Sequence, residues 1–373
     1  MTIKLPASVL AFAQGDTSLF DMYVDYWNQY RSDYGERKYS FSTVDDKGKP
    51  ITFAEKELAL NAAIRREISK RSGFSLDGSA PIEQFATNPM VNWAATNIVS
   101  QMIEAVLPDT IIDSIGAYTE VRTAGFGESI VFDINPRDLF RVSRSGRMGM
   151  KTAEQQKSFP GQLVLNPEQR TMTVGVSLFR LLSGQESLAR FTAKCLRSLE
   201  TAMAKDAYDA MATAMAALST TATTGLRVVG YTQADLVKLA QKVSAFSGGA
   251  TPIVLGTKVG LSAIFPDDAN YRYDIDSPYV KLGYMRTISG ISVLEMPQVA
   301  NWESPFATYL NDDRLWIVAP GQDKILKMVL GGSMISNVTG PFDASTLTQE
   351  ATFYKLWKVG VVTSALGGQI TLS

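Results

Sequence analysis

The spacing of apolar residues predicts one long amphipathic helix near the middle of the chain. Between Gln185 and Leu218 an apolar side chain recurs every three or four residues for about nine turns, and neither Gly nor Pro interrupts the pattern. Ser183, followed by Glu186, predicts a capping box at its start. The stripe is rich in Ala and Met and contains Cys195, which we interpret as a small core residue. A helix of this length would extend for about 50 Å.

Alternating apolar residues predict two long strands before this helix. They cover residues 117–134, with Ile130, Phe132 and Ile134 on one face, and residues 162–179. Strands of up to about 15 residues exceed the usual length, and a two-stranded ribbon cannot bury its own faces. We therefore expect the ribbon to need a partner surface, for which another subunit is the candidate.

The segment between these two strands is basic and marked by glycine. It contains six cations against two acids, Asp138 and Glu154. The cations are Arg137, Arg141, Arg144, Arg147, Lys151 and Lys157. A flexible solvated loop and a contact with nucleic-acid phosphates are two interpretations. We favour a third, in which this tip contacts the acidic surface of a neighbouring subunit, because a long ribbon loop needs external support.

Short helices joined by long loops are predicted for the amino-terminal part of the chain. An aromatic-rich helix covers residues 18–30. A second helix covers Phe53–Lys70, with Thr52 and Glu55 as a capping box and Gly73 as the stop signal.

A third helix is predicted over Val91–Leu107. We interpret residues 1–105 as an arm laid over a partner, with Phe20, Tyr23 and Trp27 as its contacts. A small helical domain is the alternative. Stacking of these aromatic rings on nucleic-acid bases is less favoured, because acidic residues alternate with them.

The pattern after the long helix is typical of a separate α/β unit over residues 226–332. A helix over Gln233–Phe246, with Thr232 as its N-cap, precedes the buried strand TPIVLGT. Two later strands are predicted to meet at a turn over residues 311–313. The chain then returns to strand character over Ala351–Leu372.

Composition narrows the chemistry that the chain can perform. The 373 residues include one Cys and no His, and the net charge is −1. Without His the commonest general base and metal ligand is missing, so His-dependent nucleophiles and zinc sites are excluded. We expect a non-enzyme with no catalytic residue, metal or cofactor. No apolar run approaches the length of about 18 residues that spans a membrane, so no membrane partner is expected.

Two carboxylate pairs are the remaining candidates for acid–base or calcium chemistry. They are Asp267-Asp268 and Asp312-Asp313. Each pair lies in or just after a turn, so we interpret all four as solvated turn residues. A carboxylate-dependent hydrolase using them is the less favoured enzyme hypothesis.

The order of these elements resembles that of the HK97-type major capsid proteins of tailed bacteriophages. The segments that carry the likeness are GAYTEVRTAGFGESIVFDI with QRTMTVGVSLFRLL, SLARFTAKCLRSLETAMAKDAYDAMATA, TPIVLGTKVGLSAIFPDD with RLWIVAPGQDKILKMVLGG, and ATFYKLWKVGVVTSALGG. The resemblance implies an α+β fold of the HK97 type. It would consist of an N-terminal arm (1–105), a peripheral domain (106–116, 181–225 and 333–373) with spine helix 185–218, an extended loop (117–180) and an axial domain (226–332).

The same resemblance implies a structural protein of the virion. Copies would self-assemble into hexamers and pentamers of an icosahedral head around double-stranded DNA, which they would contact non-specifically. Portal, scaffold and decoration proteins are further implied partners, and assembly would take place in the host cytoplasm. An encapsulin-like protein nanocompartment is the alternative with the same fold, and the long N-terminal arm counts against it.

Overall fold

The fold is known from a computed structural model that combines helices and strands. It describes residues 19–33, 51–75, 88–116, 118–134, 142, 161–176, 180, 186–219, 225–264, 282–301, 304, 306–319, 324–343, 348–361 and 367–372. The described helices are α1 (Leu19–Asp33), α2 (Phe53–Ser72), α3 (Pro89–Ile115), α4 (Leu188–Ser219), α5 (Gln233–Phe246) and α6 (Lys258–Ser262). The described strands are β1 (Thr119–Ala124), β2 (Ile130–Ile134), β3 (Gly161–Leu165), β4 (Glu168–Val176), β5 (Arg227–Val229), β6 (Ile253–Gly256), β7 (Thr287–Ile288), β8 (Ile291–Glu295), β9 (Ala300–Asn301), β10 (Ala307–Thr308), β11 (Arg314–Val318), β12 (Leu326–Asp343), β13 (Thr348–Val361) and β14 (Gly367–Thr371). The predicted α+β class is confirmed.

The chain divides into two compact units. The first unit comprises Met1–Ile111, Glu168–Glu200 and Gly331–Trp357, and the second comprises Ile112–Pro167, Thr201–Leu330 and Lys358–Ser373. The chain therefore passes from one unit to the other within α3, α4, β12 and β13, and between β3 and β4. Among the described residues, no helix is both long enough and apolar enough to cross a membrane.

Helices α1, α2 and α3 bury a shared apolar core in the first unit. The side chains of Tyr23, Trp27, Ile64 and Met102 are at most 1% exposed. The indole Nε1 of Trp27 donates a hydrogen bond of 3.1 Å to Oγ1 of Thr110. Full burial of one such side chain contributes about 1.5–3 kcal/mol. The described helices of this region thus form a core within their own chain. Such a core is what a small helical domain, the alternative to an arm laid over a partner, would have.

Helix α2 begins and ends where its local sequence predicts. Oγ1 of Thr52 accepts from the backbone N–H of Glu55 at 3.4 Å, and Oε2 of Glu55 accepts from the backbone N–H of Thr52 at 2.9 Å. Gly73 follows the helix with φ of 74°, in the left-handed region that favours glycine. The predicted capping box and stop signal are confirmed.

The predicted long helix exists, but its start was misplaced. Helix α4 has 32 residues and begins at Leu188 rather than Gln185. Oγ of Ser187 accepts from the backbone N–H of Arg190 at 3.3 Å. The predicted cap residue Ser183 lies outside the described residues. A second cap comes from α2, where Oδ1 of Asn61 accepts from the backbone N–H of Ala189 at 3.0 Å. The start of the helix is thus fixed partly by a residue that is remote in sequence.

The predicted two-stranded ribbon is wrong in its extent. Among the described residues, strands β2 and β3 pair with each other over residues 130–134 and 161–165. Strand β1 instead belongs to a four-stranded sheet of order β1-β12-β13-β4, in which β4 pairs with β13 in antiparallel register. Residues 326–361 of the same chain thus supply partner strands for β1 and β4, and the expected contact of the hairpin with another subunit stays a prediction.

A six-stranded sheet organises the second unit. Its strand order is β5-β14-β11-β6-β8-β7. Helix α5 has the predicted bounds, and Oγ1 of Thr232 accepts from the backbone N–H of Asp235 at 3.1 Å, which confirms the predicted N-cap. Leu236, Leu239 and Val243 of this helix are buried in the core of the sheet.

The predicted strands of this region are present, and the sheet order gives their partners. Strands β10 and β11 flank the turn over residues 311–313, but β10 pairs with β9, whereas β11 pairs with β6 and β14. The described residues of Ala351–Leu372 have the predicted strand character, and they are divided between β13 and β14, which belong to different sheets. Alternation along the sequence identifies strands but not their partners.

Candidate assembly surfaces

The hairpin of β2 and β3 has one buried face and one exposed apolar face. On the inner face Phe132 is 1% exposed and packs in a cluster with Leu165 and Val329. On the outer face Val131 and Val164 lie opposite each other and are 40% and 53% exposed. Successive residues of a strand point to opposite faces, and here apolar residues occupy both faces. Such a pattern is typical of a strand that is covered on two sides.

A charged cluster fixes the base of this hairpin. The guanidinium carbon of Arg122 lies 4.6 Å from the ring centre of Phe132, and Nζ of Lys327 lies 5.6 Å from it. The carboxylate of Glu120 pairs with Arg122 at 2.8 Å and with Lys327 through a short hydrogen bond. Glu120 and Arg122 belong to β1, Phe132 to β2 and Lys327 to β12, so the two cations that pair with the carboxylate also connect β1 and β12 to the ring on β2.

The electrostatics of this cluster follow from burial and pairing. Burial alone would raise the pKa of Glu120, but hydrogen bonds from Lys327 and Arg122 outweigh it and hold the pKa below its ordinary value of 4.5. The side chain of Lys327 is 2% exposed, so its charge depends on Glu120 for compensation. The Glu120 carboxylate therefore stays ionised at neutral pH, and its bond to Lys327 ties β1 to β12 beside the hairpin.

The basic tip beyond β2 lies outside the described residues. This holds for all six predicted contact residues, Arg137, Arg141, Arg144, Arg147, Lys151 and Lys157. Val142, which the structure does describe, is 97% exposed. The contact between the tip and a neighbouring subunit stays a prediction.

The predicted arm contacts differ in their accessibility. Tyr23 and Trp27 are buried within the first unit, whereas Phe20 is half-buried. The rings of Tyr26 and Phe53 stack with centres 4.9 Å apart, so α1 is held on α2. Tyr23 and Trp27 thus pack inside their own chain, and contact of the arm with another subunit stays a prediction.

One carboxylate of the turn at 311–313, that of Asp312, has structural partners. Oδ1 of Asp312 accepts a hydrogen bond of 2.8 Å from Gln298 and a short one from Thr257. The backbone N–H of Asp313 donates to Oδ1 of Asn311 at 2.9 Å. Asp312 is thus a half-buried turn residue, as the prediction of a turn position requires, and its carboxylate is held by two hydrogen bonds that the prediction did not include.

The remaining candidates for chemistry are the pair Asp267-Asp268 and the thiol of Cys195. Asp267 and Asp268 lie outside the described residues. Within the described ranges, no three His, Cys, Asp or Glu residues form a group that could hold a metal ion. Cys195 is 4% exposed, and burial raises the pKa of its thiol to about 12, so it is a core residue as predicted.

The comparison with protein families identifies the class of the chain. The sequence model of the family described as "SPbeta prophage-derived putative capsid protein YonB" matches residues 41–371. Because this match covers most of the sequence, the chain belongs to this family of phage capsid proteins. The resemblance to phage major capsid proteins drawn from the sequence is thereby confirmed. A search of curated proteins finds no match.

Solved structures similar to the chain are distant in sequence. The mature capsid subunit of bacteriophage PhiM1 shows 12% identity and a TM-score of 0.42, with 68% of this chain and 85% of that chain covered. The capsid of cyanophage P-SCSP1u shows 14% identity and a TM-score of 0.44, with 68% and 86% covered. A virus-like particle from Pyrococcus furiosus shows 12% identity and a TM-score of 0.40, with 73% and 98% covered. The assignment rests on the family and not on these likenesses.

Sequence reasoning missed the cluster around Glu120. A signal for it was present, because Lys327 interrupts the apolar run of β12 at a position where a strand inside a sheet would bury its side chain. A lysine that is almost fully buried requires an anionic partner. The partner is remote in sequence and could not be named from the pattern alone.

Proposed function

We propose that this chain is a major capsid protein whose copies assemble into hexamers and pentamers of an icosahedral head around double-stranded DNA. The observation that carries this proposal is membership of a capsid protein family over residues 41–371. Assembly requires large interfaces between copies, and a net charge of −1 limits repulsion between densely packed copies.

The hairpin of β2 and β3 is proposed to contact the adjacent subunit. Its base is fixed by the cluster around Glu120, and its outer face exposes Val131 and Val164. An exposed apolar face beside a fixed base favours a specific partner surface over free movement in solvent. The hairpin would carry the basic tip to an acidic surface of the neighbouring copy.

The proposed domain boundaries are those that the resemblance to phage major capsid proteins implies. Residues 117–180 would form the extended loop, 226–332 the axial domain, and 106–116, 181–225 and 333–373 the peripheral domain. Residues 1–105 would form the arm. Support comes from the six-stranded sheet in the second unit, most of whose strands lie within residues 226–332.

Contacts with other components are proposed to be weak or transient. With a net charge of −1, packaged DNA would be contacted locally and without sequence specificity. Portal, scaffold and decoration proteins are the further proposed partners. The chain would act without a catalytic residue or cofactor, in a virion assembled in the host cytoplasm.

A charge reversal at the tip tests this proposal. We expect the triple variant Arg141→Glu, Arg144→Glu, Arg147→Glu to fold normally but to assemble poorly, because its tip would repel an acidic neighbour. Circular dichroism would check folding, and light scattering with negative-stain microscopy would measure assembly. The matched control replaces the same three residues with Lys, which keeps the charge and should keep assembly. Normal shells from the Glu variant would contradict the proposed contact.

A further inference from the structure

Helix α1 precedes the residues that the family model matches, yet it covers their helical core. The matched residues are 41–371, which include α2, α3 and the whole of α4, whereas α1 ends at Asp33. Four side chains of α1 are at most 3% exposed, namely Met22, Tyr23, Tyr26 and Trp27. The helix thus closes an apolar surface that belongs to the matched part of the chain.

Side-chain contacts across the helices hold α1 in place. The ring of Tyr26 stacks on that of Phe53 in α2, and the indole of Trp27 donates a hydrogen bond to Thr110 in α3. In the sequence, residues 34–52 separate α1 from α2. A helix joined to its neighbour through so many residues can leave the core while α2 and α3 stay folded.

An ion pair with Lys56 of α2 distinguishes α1 from a purely apolar cover. Nζ of Lys56 lies 2.7 Å from Oδ2 of Asp25, and the side chain of Lys56 is 1% exposed whereas that of Asp25 is 21% exposed. Within the described part of the chain, no other carboxylate pairs with Lys56. Because a buried lysine without an anionic partner is costly, the surface beneath α1 fits a helix that brings a carboxylate to this position.

We propose that α1 is a strap that opens separately from the helical core, and that Lys56 with Asp25 is the latch that closes it. When α1 lifts, Lys56 would face water beside the apolar surface that α1 had covered. Its charge would oppose coverage of that surface by apolar segments of other copies, because they bring no compensating anion. Helix α1 of the same chain is the occupant that restores the pair.

Hydrogen exchange on the full-length chain tests the strap and its latch. In the unmodified chain, peptides from α1 (19–33) should exchange faster than peptides from the middle of α3 (98–107), because the strap opens before the core. Asp25→Leu leaves Lys56 buried without its carboxylate, so exchange in α1 should become about 30-fold faster while exchange in α3 stays unchanged. Adding Lys56→Met replaces the pair with two apolar side chains, which should return exchange in α1 to within about threefold of the unmodified rate.

Two further variants separate the latch from a general loss of stability. Lys56→Met alone removes the buried cation and leaves an acid that partly faces solvent, so exchange in α1 should stay within about threefold of the unmodified rate. Asp109→Leu is the matched control, since it makes the same substitution at an exposed residue of α3, and it should leave exchange in α1 unchanged. Circular dichroism would check that each variant keeps its helices.

Other results would overturn the inference. Equal exchange in α1 and α3 of the unmodified chain, or equal acceleration of both in Asp25→Leu, would make α1 an inseparable part of the core. Unchanged exchange in Asp25→Leu would show that the pair does not hold α1. A double variant that exchanges as fast as Asp25→Leu, or a Lys56→Met variant that does so, would show that burial of the Lys56 charge is not the cause. None of these measurements involves assembly, so the proposed function stands in each case.

Discussion

Replacing Glu120 with Gln should loosen the base of the β2–β3 hairpin. The change removes the carboxylate that pairs with Arg122 at 2.8 Å and with Lys327, whose side chain is 2% exposed. Removing one partner of a fully buried ion pair costs about 3–5 kcal/mol. Glu120 is 30% exposed and glutamine still accepts one hydrogen bond, so we expect about 2 kcal/mol here.

Hydrogen exchange would measure this loss where it occurs. Opening that is easier by about 2 kcal/mol corresponds to amide exchange about 30-fold faster in peptides from β1 and β2. The matched control is Glu350→Gln in β13, which makes the same change of charge at an exposed side chain. We expect exchange in the control to match that of the unmodified chain.

The difference between the unmodified chain and the Glu120→Gln variant should depend on pH. The pKa of Glu120 is lowered from 4.5 by Lys327 and Arg122, against the raising effect of burial. A lowered pKa in the folded state contributes stability above the unfolded value, and this contribution is lost as pH falls through the folded pKa. The ratio of exchange rates should therefore be large at pH 7 and approach one in acid. Equal exchange at pH 7, or a ratio that does not change in acid, would refute the reasoning.

Two further predictions concern the cores. Cys195 should not react with a thiol reagent in the native chain, because burial raises the pKa of its thiol to about 12. It should react at once after denaturation. Rapid labelling of the native chain would contradict its buried position. Gly368→Ala should destabilise the second unit by about 1–3 kcal/mol in a denaturation experiment, since its Cβ would lie 2.7 Å from the buried Leu239. Gly175→Ala, where a Cβ meets nothing within 4 Å, is the control, and equal losses in both variants would argue against the steric cause.

Helix boundaries could be predicted where the signal is local. The caps of α2 and α5 depend on Thr52 and Thr232 and on acids three residues later, so the sequence pattern contains them. The start of α4 could not be placed correctly, because Asn61 from another helix caps it together with Ser187.

Strand partners could not be predicted from alternation. The pattern identified the strands around residues 117–134 and 162–179, yet it favoured pairing between neighbours in sequence. Strands β1 and β4 instead join the sheet of β12 and β13, more than a hundred residues later. Sequence periodicity reports which face of a strand is buried, and the covering element can come from any part of the chain.

Only some of the candidate contact residues could be predicted from the sequence. The basic tip stands out by composition, and its contact stays a prediction. The cluster of Glu120 with Lys327 required knowledge of the sheet order.

The central claim is that copies of this chain build a closed shell. Negative-stain microscopy with light scattering on the purified chain, at increasing concentration up to the solubility limit, tests it most directly. The account predicts closed polyhedral particles or capsomere rings, whose mass is a multiple of the 40.7 kDa chain. A chain that remains monomeric across the whole concentration range would contradict it.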